Sequence, residues 1–290
     1  MVNMFNRTIW FLWLQGLSGA PDIVKICQHS WLRENPDWNV VVLDETNLEQ
    51  YTDIPLDAEI KSTLLPNWYS NLIRLDLLNK HGGVWVDATC YCIQPLDSWL
   101  TPHLKAELFM FPNRGDDRTF CNWFIASHCD NYLLQATYKA LIQYWSENNF
   151  KDLKSYSQTR TYKLMQRLFN TNTHSTRYWF NPIVMKIFKY APYFNFHYQM
   201  NQLIEDDHEA RSIADQILIH SNIGRKYRHA SFKNSFKPMS VEVRNMIDSQ
   251  QIPLLKLTWK NHARRQADCV YDYLEKNFQT ERETNKLLVG

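Results

Sequence analysis

Glycine is scarce in this chain. Its 290 residues hold seven, at positions 16, 19, 82, 83, 115, 224 and 290, where about 20 would be ordinary for this length. No two are spaced as G-x-G, so neither a dinucleotide-binding fingerprint nor a P-loop can form, since each needs several glycines to bring backbone against phosphate. Collagen-like, flexible-linker and low-complexity classes fall on the same count. Any nucleotide must therefore be held largely by side chains. Charge of one sign is also lacking: 32 basic against 30 acidic residues leave a net +2, too balanced for bulk nucleic-acid binding. The six cysteines, at 27, 90, 92, 121, 129 and 269, include no C-x-x-C pair. Cys90 and Cys92 alternate in a strand-like segment, which reads as buried free thiols in a reducing compartment. Long apolar runs are missing too. The run at 9–14 is six residues rich in Trp, shorter than the apolar region of a signal peptide. No other run approaches the roughly 18–20 residues a membrane span needs. A cytoplasmic protein is expected, with peripheral contact at a membrane face.

What the chain has is aromatic mass, with 11 Trp, 15 Tyr and 15 Phe, and 44% hydrophobic residues that can bury a substantial core. Residues 9–14 predict a buried strand stopped at Gln15-Gly16. Pro21 then suits a helix start, with Ile23, Val24, Cys27 and Trp31 at helical spacing as far as Asn35-Pro36. Residues 38–43 read as a second strand, and a helix-prone acidic stretch follows from Asp44. This β-α-β opening predicts an α/β fold. A helix is expected over 68–80 with Gly82 as its stop, then a short strand at 84–86 ending on Asp87. Residues 90–93 extend that strand or pair nearby. Two more strands, 107–111 and 121–126, flank a polar loop at 113–119 in which Asp116 and Asp117 read as solvated. Helices are expected from 132 to about 219, a mixed region over 217–260, and a closing helix near 263–278. No internal repeat or linker interrupts the chain, so one domain is expected, with residues 131–290 forming a helical elaboration and closing segment on a core of 1–130. His197, within the aromatic run 193–198, reads as packed core.

The 68–80 helix is apolar over most of its circumference, interrupted by Ser70, Asn71 and Arg74, which lie side by side at three- and four-residue spacing. A buried Arg there needs an anion or a carbonyl partner. Asp87 follows at the carboxyl end of a strand, the edge where ligands of open α/β sheets collect.

The run Ser70-Asn71-Leu72-Ile73-Arg74 followed by His81-Gly82-Gly83-Val84-Trp85-Val86-Asp87-Ala88-Thr89 resembles the signature of GT-A glycosyltransferases of the capsular polysaccharide synthesis and OCH1-like mannosyltransferase group. Glucosylating toxins share it more distantly. Ile9-Trp10, Trp13, Gln15-Gly16, Pro21, Cys27, Ser30-Trp31 and Asn35-Pro36 continue the resemblance. So do Asn122-Trp123-Phe124-Ile125-Ala126 and Lys256-Leu257-Thr258-Trp259-Lys260.

The resemblance implies a GT-A-like fold with a mixed central sheet, residues 1–130 being the donor-binding part. It implies a retaining transferase moving a hexose-type sugar from a UDP- or GDP-sugar to a growing capsular or O-antigen-like glycan, free or lipid-linked, with no nucleic-acid partner. The alternative is a sugar-phosphotransferase or hydrolase using the same donor. Trp13 and Gln15 would flank the base, with Trp85 and Trp259 also walling the donor. Ser70, Asn71 and Arg74 would hold sugar or phosphates, Asp87 the ribose and metal shell, and Asn122 the sugar and acceptor. Asp87, Arg74 and Asn122 are the implied catalytic residues.

A divalent cation, Mn²⁺ or Mg²⁺, is implied at Asp87, with Thr89, Thr258 and His220 as further ligand candidates. Two departures stand out: Asn71 where the group usually has Asp, and Thr89 in place of the second carboxylate of D-x-D. One carboxylate and a hydroxyl make a thin shell for such an ion. Two C-terminal segments compete to close the site, His220 with Gly224 and Lys226, or Lys256, Thr258, Trp259 and Lys260. Either supplies cations for the departing diphosphate.

Overall fold

A computed structural model describes residues 5–113, 115–220, 235–260 and 262–289. The chain begins with β1 (Thr8–Leu12), α1 (Asp22–Glu34), β2 (Asn39–Leu43), α2 (Ala58–Thr63) and α3 (Pro66–His81). Next come β3 (Gly83–Asp87), β4 (Cys90–Cys92), β5 (Leu108–Pro112) and β6 (Phe120–Ser127). A helical stretch follows: α4 (Tyr132–Glu147), α5 (Leu153–Tyr156), α6 (Arg160–Phe169), α7 (Asn195–Asp206) and α8 (His208–His220). After it come α9 (Val241–Asp248), β7 (Leu254–Lys256) and α10 (Val270–Val289). The strands group as a five-stranded mixed sheet, order β2-β1-β3-β6-β5, and a two-stranded ribbon of β4 and β7. This is the α/β class that the segment pattern predicts, with the mixed central sheet that the resemblance implies.

The chain divides into two compact units. Residues Met1–Asn6, Glu49–Trp85 and Leu104–Ser221 form one, called here the Arg74 unit. Arg7–Leu48, Val86–His103 and Asn222–Gly290 form the other, the Lys256 unit.

In the Lys256 unit, all five residues of β1 (TIWFL) are buried, and each large apolar side chain among them contributes about 1.5–3 kcal/mol by leaving water. β1 pairs in parallel with β2, from Thr8 opposite Asn39 to Leu12 opposite Leu43. The crossover helix α1 follows Pro21 and carries Asp22 in its first turn and Arg33 in its last, both favourable to the helix dipole. Its buried Trp31 donates from Nε1 to the carbonyl of Cys90 at 2.8 Å. Its Ser30 Oγ accepts from the Cys92 amide at 2.8 Å. β4 pairs antiparallel with β7, placing Cys90 opposite Lys256.

Three expectations shift in this unit. The first strand ends at Leu12, because the chain turns as Gly16 donates to the Trp13 carbonyl at 2.9 Å. The acidic stretch after Asp44 does not begin a helix. Asp44 instead accepts from the Thr46 amide at 2.8 Å and the Thr46 hydroxyl at 2.6 Å, a local turn that competes with helix, and only a 3-10 turn, Leu48–Gln50, follows. The closing helix starts at Val270 rather than near 263, after Asp268 takes the left-handed conformation at φ +57°.

The Arg74 unit is built around α3, with Pro66 in its first turn and Gly82 at its end. Gly82 has φ +65°, and a Cβ there would lie 2.9 Å from the Cys129 amide nitrogen and 3.0 Å from the Ser127 carbonyl oxygen. Glycine is required by both conformation and space. β5 and β6 pair antiparallel, with Leu108 opposite Ser127 and Met110 opposite Ile125. Their inner aromatics interlock, Phe111 stacking on Trp123 at 4.9 Å and meeting Phe124 edge-on at 5.5 Å. Helices α4 to α8 follow as the sequence predicts.

Candidate active site

In the Lys256 unit, β3 ends on Asp87 and a two-residue turn, Ala88-Thr89, leads into β4. The antiparallel β4–β7 pairing, extended by the Leu257 amide donating to the Thr89 carbonyl at 2.8 Å, sets Lys256 beside that turn. Its ammonium donates to Asp87 Oδ2 at 3.0 Å and to Thr89 Oγ1 at 2.8 Å. The Lys256 and Thr89 side chains are buried, whereas the Asp87 side chain is 28% exposed. Burial alone would lower the Lys256 pKa, but Asp87, with lesser help from Cys90, holds it above its ordinary value. The lysine stays charged at neutral pH. The result is a fixed positive charge at the carboxyl end of a sheet strand, with one carboxylate open to solvent beside it.

The same residues test the expected cation. Asp87 Oδ2 and Thr89 Oγ1, two oxygens a metal would need, both accept from the lysine, so a divalent ion between them would face an ammonium. Among the described residues, no group of three or more His, Cys, Asp or Glu side chains could hold a metal ion. This donor set does not fit a resident divalent cation.

Elsewhere in this unit, Trp13 meets Trp259 edge-on at 5.8 Å between ring centroids. Among the described residues the buried Trp13 Nε1–H meets no acceptor, and Trp259 is 44% exposed. Lys260 folds back over the Trp259 ring at 5.3 Å, which leaves a cation and an aromatic edge at one surface position. Thr258 is held on three sides: its amide donates to Tyr271 Oη at 3.0 Å, its carbonyl accepts from that hydroxyl at 2.9 Å, and its Oγ1 accepts from the Lys260 amide at 3.1 Å. Gln15 is exposed. The His220 side chain, with Gly224 and Lys226, lies outside the described residues.

In the Arg74 unit, helix α3 and strand β6 bring four of the predicted residues together. Asn122 Nδ2 donates to Asn71 Oδ1 at 2.9 Å. Arg74 donates to the Asn122 carbonyl, to the Ser70 carbonyl at 3.2 Å and to Ser70 Oγ at 3.2 Å. The Arg74 guanidinium also lies 4.8 Å from the ring centroid of Trp85. One of the two partners a buried arginine can take, a carbonyl, is thus present, and Asn71 Oδ1 serves as an acceptor for Asn122. This cluster presents amide and guanidinium donors, and its one hydroxyl, Ser70 Oγ, donates to the Asn67 carbonyl at 3.0 Å, a set suited to holding hydroxyls or phosphate oxygens rather than to covalent chemistry.

One carboxylate escaped the sequence reading, and a second sits differently from its expectation. Asp76, buried on α3, accepts from the Asp53 amide at 2.9 Å and from Lys80 at 2.8 Å. Its place two residues after Arg74 on an otherwise apolar helix was the available signal. Asp117 is not simply solvated: Oδ2 accepts from Tyr198 at 2.9 Å, Oδ1 from Arg118 at 3.1 Å, and its carbonyl from Asn201 at 2.8 Å. Burial and the adjacent Asp117 charge raise the Tyr198 pKa, so that hydroxyl remains a donor.

The chain is similar to the glycosyltransferase afumC of Aspergillus fumigatus, 29% identical over 161 residues that make up 49% of this chain and 39% of the relative. It is similar also to the O-glycosyltransferase braB of Annulohypoxylon truncatum, 24% identical over 168 residues, 48% of this chain and 38% of that one. The matched stretch thus spans about two fifths of these relatives' length. The catalytic domain of alpha-toxin from Clostridium novyi overlays on 98% of this chain and 82% of its own at 11% identity. Its TM-score is 0.39, too loose for residue roles to be transferred. Residues 2–181 match the profile of the capsular polysaccharide synthesis protein family, and over that span lie β1 through α6 with the Arg74 cluster and the Asp87 turn. By that match the chain belongs to the capsular polysaccharide synthesis protein family.

Proposed function

We propose that this chain is a glycosyltransferase that moves a hexose-type unit from a UDP- or GDP-sugar onto a growing surface glycan, with retention at the anomeric carbon, as a single GT-A-like catalytic domain on the cytoplasmic side of the membrane. The observation that carries the reading is Lys256, an ammonium fixed between Asp87 and Thr89 at a strand's carboxyl end. Family membership and the two curated glycosyltransferases support it.

In the proposed reaction the bond between the anomeric carbon and the diphosphate oxygen breaks, and its electron pair stays with the diphosphate. The acceptor hydroxyl oxygen bonds to that carbon, and its proton passes to the leaving phosphate oxygen. Charge therefore grows on the diphosphate. A preplaced cation stabilises that charge without reorganising, an effect worth about 10²–10³ in rate for a single donor. Lys256 is assigned this role, and Asp87 holds the lysine and hydrogen-bonds the ribose. No step is assigned to a metal. Asn71, Arg74, Asn122 and Ser70 are assigned to the sugar, Trp85 to the donor wall, and Trp13, Gln15 and Trp259 to the base. The Trp13 indole N–H, buried with no acceptor among the described residues, suits a base carbonyl. Thr258 and Lys260 form the closing segment.

The nucleotide left after turnover tests this. Glycosyl transfer releases a nucleoside diphosphate and a lengthened glycan. Free sugar without a glycan product would mark a hydrolase, and a nucleoside monophosphate would mark a sugar-phosphotransferase. Either outcome overturns the proposal.

A further inference from the structure

The charge of the chain is unevenly spread. Residues 151–190 contain eight basic residues and one acidic residue, Asp152, within a chain whose net charge is +2. The remainder is consequently net acidic. All of this segment lies in the Arg74 unit.

Helix α6 shows how the charge is displayed. Its inner side is anchored by buried Tyr162, whose ring meets Trp179 at 5.2 Å and Tyr190 at 5.8 Å. Its outer side carries Leu164 and Leu168, four residues apart and 56% and 55% exposed. Arg160, Lys163 and Arg167, all exposed, share that outer side at three- and four-residue spacing. Among the described residues no acidic side chain pairs with these three. The π-helical segment Ile183–Phe188 repeats the pattern, with Ile183 and Ile187 54% and 70% exposed and Lys186 exposed among them. Four large aliphatic side chains in water, each beside a cation with no acidic partner among the described residues, have no account in the packing of the unit.

The combination selects a partner. A second copy packed through the same face would bring like charge against like. A nucleic acid would satisfy the lysines and arginines but would offer the leucines and isoleucines only a sugar-phosphate surface. An anionic bilayer satisfies both, since aliphatic side chains enter the acyl boundary while basic ones stay at the headgroups. Among the described residues no helix is long and apolar enough to cross a membrane, so the contact would be a surface one.

We infer that the outer faces of α6 and of Ile183–Phe188 bind an anionic lipid surface. The inference stands apart from the assignment of the active site and is read without activity. The full chain is sedimented with vesicles of phosphatidylcholine alone and of phosphatidylcholine mixed with phosphatidylglycerol. Binding is expected only to the mixed vesicles, and it weakens as salt is raised. Lys163→Glu with Arg167→Glu should lower it by at least about 25-fold, at roughly 5-fold per basic residue near such a surface. Leu164→Ser with Leu168→Ser, and Ile183→Ser with Ile187→Ser, should each lower it several-fold. All six side chains are exposed, and unchanged circular dichroism confirms folding. Equal binding to both vesicle types, no binding, or binding untouched by these variants overturns the inference. So does capture of single-stranded RNA in place of vesicles.

Discussion

Lys256 and Asp87 stand 169 positions apart in sequence, yet the lysine Nζ lies 3.0 Å from the aspartate Oδ2. The pairing of β4 with β7 makes that meeting possible, and Thr89 Oγ1, 2.8 Å from the same nitrogen, holds the ammonium in place. A carboxylate at the strand end, where the family resemblance implied a metal, is instead neutralised by a side chain of the protein itself.

Replacing the charge is the first prediction. Lys256→Met keeps the length of the side chain and removes its cation. Donor turnover should fall by about 10²–10³. Stability should fall by only about 1–3 kcal/mol, at or below the low end for a broken buried pair, because the partly exposed Asp87 carboxylate regains water. Rates measured beside urea unfolding separate the two effects. A variant that loses stability but keeps its rate contradicts the role given to Lys256.

The pH dependence of that pair has a definite sign. Asp87 holds the Lys256 pKa above its ordinary 10.5 in the folded state, so the stability it contributes is fully present below 10.5 and is lost as pH rises through the higher folded value. The stability gap between wild type and Lys256→Met should therefore be constant from neutral pH to near 10.5 and narrow above it. Urea unfolding across an alkaline series checks this. A gap that narrows toward neutral pH would mean that the lysine titrates low, contrary to the pairing described.

In the Arg74 cluster, Asn122→Ala removes the donor to Asn71 Oδ1. A buried amide oxygen is then unsatisfied, at a cost of about 1–3 kcal/mol. Asn71→Asp, by contrast, keeps an acceptor for Asn122 Nδ2, and the variant should fold with turnover within about tenfold of wild type. Thermal unfolding and donor kinetics on both variants distinguish a working pair from two unrelated amides.

Gly82→Ala is expected to be costly. It forces a side chain into a left-handed conformation and against the Ser127–Cys129 backbone. Strain and overpacking together should cost about 2–4 kcal/mol, read as a fall in thermal midpoint of several degrees. Gly19→Ala, whose Cβ would meet nothing within 4 Å, serves as the control and should leave the midpoint nearly unchanged.

Much of the frame was legible in the sequence because it rests on local patterns. The β1-α1-β2 opening follows from apolar runs and a proline. The α3–β3 junction follows from Gly82-Gly83, and the strands β5 and β6 from their aromatics. The Ser70-Asn71-Arg74 stripe was readable as one helical face, and of the two partners expected for its arginine, an anion or a carbonyl, the fold supplies the carbonyl. Asp44 misled because a side-chain turn to Thr46 outweighed helix propensity. The Lys256–Asp87 bond was not legible. Each residue could be named from the resemblance, but only the pairing of two three-residue strands far apart in sequence joins them. Asp76 was missed and Asp117 read as solvated for the same reason, since their partners, Asp53 and Tyr198, come from distant segments.

The most direct test of the account is a thermal-shift panel of UDP-, GDP- and CMP-sugars on wild type and Lys256→Met, each with a chelator and with added Mn²⁺. Binding to the folded state alone raises the midpoint. The account predicts a rise in wild type for one UDP- or GDP-sugar, unchanged by the chelator and lost in Lys256→Met. A flat response across the whole panel would contradict the transferase reading. A rise that requires Mn²⁺ and survives Lys256→Met would contradict the place given to the lysine.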